Sequence, residues 1–200
     1  MKSIIITIGR QFGSGGHELG EKLAKRLGIP FYDRNLLSKA AVRCGMTEDM
    51  VESLDEVPTS SFLYSIAVGA HGFGGEASLP LGNRVFLAMS EAIREVAGEG
   101  SCVIVGRCAE YVLAEREDVL SVFVYGDKDA RVQRVMAKRG LKERDAAALM
   151  QRTDKKRAGY HDFYCESKWG SPEGYDVMIN STSTGIDAAV EMLATLAEKM

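Results

Sequence analysis

Ile4-Ile5-Ile6-Thr7-Ile8-Gly9-Arg10-Gln11-Phe12-Gly13-Ser14-Gly15-Gly16-His17-Glu18-Leu19 is the stretch on which the reading of this chain turns. Its first half is β-branched and almost continuously apolar, as a strand covered on both faces must be. A glycine cluster follows. Leu19, Leu23 and Leu27 then recur every four residues, which predicts a helix stopped by Gly28 with Pro30 just beyond. A strand, a glycine-rich turn and a helix in that order aim consecutive amides at one point. The helix dipole adds about half a positive charge there. Glycines also sit in such turns for tight packing alone, but the position in the fold favours phosphate. Arg10, Gly13, Ser14, Gly15, Gly16 and His17 are therefore the candidate cofactor-binding residues.

Outward from this turn, strand and helix alternate. Residues 29–33 read as a second strand and 36–44 as a helix closed by Gly45. Short helices are expected over 47–54 and 60–68, and His71-Gly72-Phe73-Gly74-Gly75 lacks any period. Residues 84–97 are amphipathic, with Val85, Met89, Ile93 and Val96 on one face. The segment 46–98 is thus expected to be a helical, substrate-binding insertion. Strands follow at 101–106, 120–125 and 175–180, with helices at 108–115, from Asp127 to Arg139, at 142–165 and at 184–199. In the last of these Asp187 is placed to close a capping box. Five apolar strands separated by helices imply one α/β domain over 1–200: a five-stranded, mainly parallel sheet with helices on both faces. Ligands of such sheets bind beyond the carboxyl ends of the strands, where residues 9–16, Asp33 and Arg107 all fall.

Composition narrows the class. The chain has 200 residues, 46% of them hydrophobic and 26% charged, as an ordinary globular domain has. No apolar run nears the roughly 18 residues of a membrane span, and the opening is too short for a secretory leader, so no membrane and a cytoplasmic location are expected. Cys44, Cys102, Cys108 and Cys165 form no CxxC pair, and only three histidines accompany them. Metal-site spacing is absent, and buried reduced thiols are the expectation. A net charge of −3 argues against a general nucleic-acid binder. Between Arg131 and Arg157, however, ten lysines and arginines face three acids, leaving −10 on the rest of the chain. Polarity of that kind points to an anionic ligand at one place. Residues 142–170 would form a basic lid.

Two templates compete for the glycine turn. GxxxxGK[ST] fails, because Gly16 stands in the lysine position and His17 supplies no hydroxyl for magnesium. Gly9, Gly13 and Gly15 fit the GxxxGxG spacing of short-chain reductases. Asp33 then lies near the place of a ribose-binding acid, and Tyr164-Cys165-Glu166-Ser167-Lys168 gives a YxxxK. Trp169-Gly170-Ser171-Pro172 follows at once, which ends the helix that this pair would need. An NAD(P)-dependent reductase is therefore the weaker alternative.

Four stretches in this order resemble the cytidylate kinase-like branch of the P-loop nucleoside monophosphate kinases: residues 4–18, Phe31-Tyr32-Asp33, Val105-Gly106-Arg107, and 176–191. Asp154-Lys155-Lys156-Arg157 is similar to the end of that family's lid. The resemblance implies ATP and Mg2+ as cofactors and phosphoryl transfer to a nucleoside monophosphate such as CMP or dCMP, or to a related small molecule. It also implies Arg157 on the transferring phosphate and Asp154 on the substrate. Asp33, Lys39 and Arg84 join Asp154 as expected substrate-binding residues, while the metal ligands stay unassigned. Departures from the family pattern are Arg10 for the first glycine, Gly16 for the lysine, Cys108 for an aspartate, and Arg34 and Lys39 for a serine and an arginine. Arginines can surround a transferring phosphoryl group with bidentate contacts. Arg107, Arg152 and Arg157, with Arg10, are expected to replace the missing lysine. A degenerate nucleotide-binding regulatory module is the other open reading. Tyr160, Phe163, Tyr164 and Trp169 either stack on a base or pack the hinge. Oligomeric state is left open.

Overall fold

Strand β1 (Ile5–Arg10) lies at the centre of the sheet because both of its faces are apolar: Ile5, Ile6 and Ile8 are fully buried. In this computed structural model, which describes residues 3–33, Val42 and 81–200, five strands pair in parallel in the order β2-β3-β1-β4-β5. The others are β2 (Phe31–Tyr32), β3 (Cys102–Val105), β4 (Val119–Tyr125) and β5 (Val177–Asn180). Ile5 is in register with Cys102 on one side and Val119 on the other.

Helices cover both faces. On one face lie α1 (Gly16–Leu27) and, near the end of the chain, a helix at Ile186–Ala197. Leu19, Leu23, Val190 and Leu193 pack there on Ile6, Ile8, Val103 and Val122. Each such aliphatic side chain, once fully buried, contributes about 1.5–3 kcal/mol. On the other face α2 (Leu81–Gly98) sets Val85, Met89, Ile93 and Val96 against Ile5, Cys102 and Ile104, with α3 (Ala109–Val112) beside it. The 81–98 part of the expected insertion is thus a covering layer of the sheet. Residues 46–80, and the helices expected within them, lie outside the described residues. The pair α4 (Lys128–Arg139) and α5 (Glu143–Tyr164) has a small core of its own: Val132, Val135, Ala146 and Met150, with Phe12 against it. A short α6 (Ser181–Thr184) precedes α7, the Ile186–Ala197 helix.

Several local expectations change. The helix expected over 108–115 is the single turn Ala109–Val112. The one expected over 184–199 breaks at Gly185, whose φ of 77° no continuing helix adopts. Asp187 closes no capping box; its carboxylate accepts from Lys22 at 2.8 Å, joining α7 to α1. Asp127 occupies the cap position of α4 without bonding its amides, and accepts instead from Asn180 at 3.1 Å. Both carboxylates found a partner across the fold rather than in their own helix.

Candidate active site

The turn after β1 is an open cradle. Gly13 and Gly15 adopt φ of 78° and 81°, a left-handed backbone that other residues enter only with strain. A Cβ on Gly13 would lie 2.8 Å from the Arg131 carbonyl, and one on Gly15 2.8 Å from Ile186 and Arg134. Among the described residues, the amides of Gly13, Gly15 and His17 donate to no other group. Ser14 contributes nothing outward. It is 1% exposed, its hydroxyl donates to the Gln11 carbonyl at 2.8 Å, and its amide does so at 3.3 Å.

The cradle is held from behind by charges that the motif did not reveal. Arg131 donates through Nε to the Phe12 carbonyl at 2.9 Å and through a terminal nitrogen to the Gln11 side chain at 3.0 Å. Its other terminal nitrogen pairs closely with Asp154 of α5. Asp154 in turn accepts from the Phe12 amide at 2.7 Å. This places Asp154, expected on the substrate, on the loop backbone instead, with both oxygens engaged.

In front of the cradle is a cavity of about 290 Å³ walled by the loop, Glu18, Val135 and five cations: Arg10, Arg134, Lys138, Arg139 and Arg157. Arg134, Lys138 and Arg139 were not singled out from sequence, although Arg134 and Lys138 are spaced to share a helix face within the basic segment. Arg157 reaches back from α5, donating to the Arg10 carbonyl at 3.0 Å with its guanidinium carbon 5.6 Å from the Phe12 ring centre.

A second, smaller cavity of about 30 Å³ lies across Arg10 and Arg157, which line both. Its wall is the turn Gly106-Arg107-Cys108, where φ values of 82°, 60° and 56° follow one another. Two consecutive side-chain-bearing residues in that region cost about 1–3 kcal/mol each and mark a held geometry. The result is an arginine only 7% exposed, its Nε without a hydrogen bond among the described residues and its guanidinium 5.9 Å from the Tyr160 ring centre. Burial raises the pKa of the Tyr160 hydroxyl, so it stays protonated beside that charge.

Arg10 links the two cavities. A Cβ on Gly16 would meet the Arg10 Cβ at 2.6 Å, and one on Gly106 would overlap the Arg10 guanidinium. The Arg10 side chain therefore starts where a residue-16 side chain would start and crosses the glycine of the second turn.

The remaining expected residues scatter. His17 stands at the start of α1 with its ring Nε2 3.3 Å from an oxygen of Asp33, so those two do converge beside the cradle. Arg152 and Arg84 are exposed and line neither cavity. Lys39 lies outside the described residues. Tyr164 stacks on Phe86 at 4.0 Å and shares a 3.3 Å hydrogen bond with Asn83, while Lys168 is 78% exposed beside Asp162. The YxxxK pair of the reductase reading is not assembled. Trp169 packs edge-on against Phe123 at 5.4 Å, and Phe163 against Tyr164 at 4.7 Å, as hinge packing rather than an open platform.

A family model described as the cytidylate kinase-like family matches residues 5–183. An uncharacterized protein from Eubacterium ventriosum ATCC 27560 has a similar solved structure, at 33% identity and a TM-score of 0.73 over 98% of this chain and 99% of that one. Shikimate kinase from Bacteroides thetaiotaomicron superposes at 18% identity and a TM-score of 0.54, covering 98% of each chain. TT1252 from Thermus thermophilus does so at 20% identity and 0.57, covering all of both. These last two likenesses show the fold alone, that of P-loop kinases. No curated protein matches.

Proposed function

The chain belongs to the cytidylate kinase-like family, and on that premise we propose that it transfers the terminal phosphoryl group of ATP, with magnesium, to a small acceptor. A nucleoside monophosphate such as CMP or dCMP is the first candidate. One observation carries the reading: three residues of the glycine turn whose amides donate to no group among the described residues line a cavity ringed by five cations. Phosphoryl transfer asks little covalent chemistry of the protein; it needs positioning and positive charge around the equatorial oxygens.

The residues divide by position. Gly13, Gly15 and His17 amides would bind the β-phosphate, and Lys138 and Arg139 the tail nearer solvent. Arg10 and Arg157 line both cavities and Arg107 the smaller one, along the way the group would pass from donor to acceptor. Arg10 does there what the lysine does in a common phosphate loop. Magnesium requires hard oxygen donors. Asp33 offers them at the carboxyl end of β2, beside His17, and would hold the ion through water.

A coupled assay tests this. The protein with ATP, magnesium and a panel of nucleoside monophosphates, shikimate and gluconate should release ADP above the acceptor-free background with at least one acceptor. Gly16 in the lysine position favours a second reading, a nucleotide-binding module without turnover. ATP binding by calorimetry with no ADP from any acceptor would support that module and refute the kinase.

A further inference from the structure

At the wall of the smaller cavity, beside Arg107, lies a buried group to which the proposed phosphoryl transfer gives no role. Cys108 and Glu110 come from the start of α3, His161 and Cys165 from the end of α5. The thiols of Cys108 and Cys165 and a carboxylate oxygen of Glu110 all lie within 4.8 Å of one another. The His161 ring is on the same carboxylate, its Nε2 3.1 Å from Glu110 Oε1. None of the four has solvent to fall back on: Cys108 and Cys165 are buried, and the side chains of His161 and Glu110 are 4% and 7% exposed.

The contact between histidine and carboxylate is close in distance but wrong in direction. Among the described residues neither ring nitrogen of His161 makes a hydrogen bond of acceptable geometry, although the side chain is almost wholly enclosed. Buried polar groups are nearly always paired, and an exception asks for a cause. Buried thiol and carboxylate atoms that converge on one point, with an imidazole against them, are arranged as ligands are around a cation. We propose that Cys108, Glu110, His161 and Cys165 form a closed zinc site that fastens the end of the lid helix to the Arg107 turn.

The chemistry selects the metal. Two thiolates with one imidazole and one carboxylate suit zinc, whereas magnesium and calcium take oxygen only. Zinc bonds of about 2.0–2.3 Å in a tetrahedron separate neighbouring ligand atoms by roughly 3.4–3.8 Å. The Cys108, Glu110 and Cys165 atoms, already within 4.8 Å of one another, need to draw in by at most about 1.4 Å. Four protein ligands leave no open position, which is the pattern of a structural rather than a catalytic ion. Binding releases the thiol protons to solvent, and a dication then offsets three negative ligands. Position gives the site its role. Residues 108 and 165 are 57 apart, so no local spacing announces them; His161 and Cys165 are an i, i+4 pair at one helix end.

The test uses the full chain, purified untagged and reduced, with zinc counted by mass spectrometry and cobalt(II) used as the optical probe. One zinc per chain is expected. Cobalt should give a thiolate charge-transfer band in the near ultraviolet with tetrahedral bands in the visible, both lost in Cys108→Ser and Cys165→Ser and kept in Cys44→Ser. Should the serine variants not fold, zinc-edge X-ray absorption of the unaltered protein reads the same point, with two sulfurs among four ligands. No stoichiometric metal under these conditions overturns the proposal, as does a cobalt site without sulfur.

Discussion

Removing Asp154 should do more harm than its place on a surface helix suggests. Its carboxylate holds two things at once: the Phe12 amide at 2.7 Å and the guanidinium of Arg131. The side chains are 19% and 8% exposed, so the pair is largely withdrawn from water. Breaking a buried pair leaves an uncompensated charge and costs about 3–5 kcal/mol, whereas replacing both partners by apolar residues is often close to neutral. Asp154→Ala and Arg131→Met should each cost about 3 kcal/mol in urea unfolding, near the low end of that range because Asp154 retains some solvent. The double variant Arg131→Met/Asp154→Leu should recover most of that stability. ATP affinity, by calorimetry, should fall in all three, because each variant removes a side-chain partner of the Phe12 backbone. A single-variant cost below about 1 kcal/mol would refute the claim of a buried clamp, since exposed pairs measure no more than that. Restored stability together with unimpaired ATP binding would refute its link to the loop.

Other expectations are shorter to state. Arg157→Ala should lower kcat by about 10³-fold, as loss of an arginine at a phosphoryl transition state does, with less than tenfold change in ATP affinity; equal losses in both would reduce Arg157 to an anchor. Gly15→Ala must place a methyl group 2.8 Å from Ile186 and Arg134 at φ 81°, so it should lose at least about 1–2 kcal/mol of stability and most nucleotide binding, measured by thermal unfolding with and without ATP. Lys138→Ala/Arg139→Ala should weaken ATP binding about tenfold and flatten its dependence on salt, as screened surface charges do. Arg152→Ala, exposed and away from both cavities, should leave stability within about 0.5 kcal/mol and turnover unchanged.

The sheet and its loop were legible because their signals are local. Ile4 to Ile8 read as a central strand whatever surrounds them, and a glycine turn between strand and helix has few other uses. The five strands and their parallel sense followed from alternation with helices. The failures share one cause, a partner distant in sequence. Asp154 looked like a substrate ligand until Arg131 and Phe12 were placed beside it, 23 and 142 residues away. Asp187 looked like a cap until Lys22 reached it across 165 residues. Arg134 and Lys138 were counted within a basic run, yet only the packing of α4 on the loop separates them from Arg152. The cysteines read as buried reduced thiols, as Cys102, Cys108 and Cys165 are, but no local spacing shows that the meeting of α3 with the end of α5 joins two of them to Glu110 and His161.

The crossing of Arg10 over two glycines bears on how such a loop could arise or revert. A lysine introduced at position 16 by itself would contest the room that the position-10 side chain already fills, and a glycine introduced at position 10 by itself would leave neither cation. Each one-letter step is worse than either end, so the two kinds of loop are separated by a trough that a lineage must cross in one paired exchange or by way of a small residue. Scans that key on the lysine would pass over every sequence on the far bank.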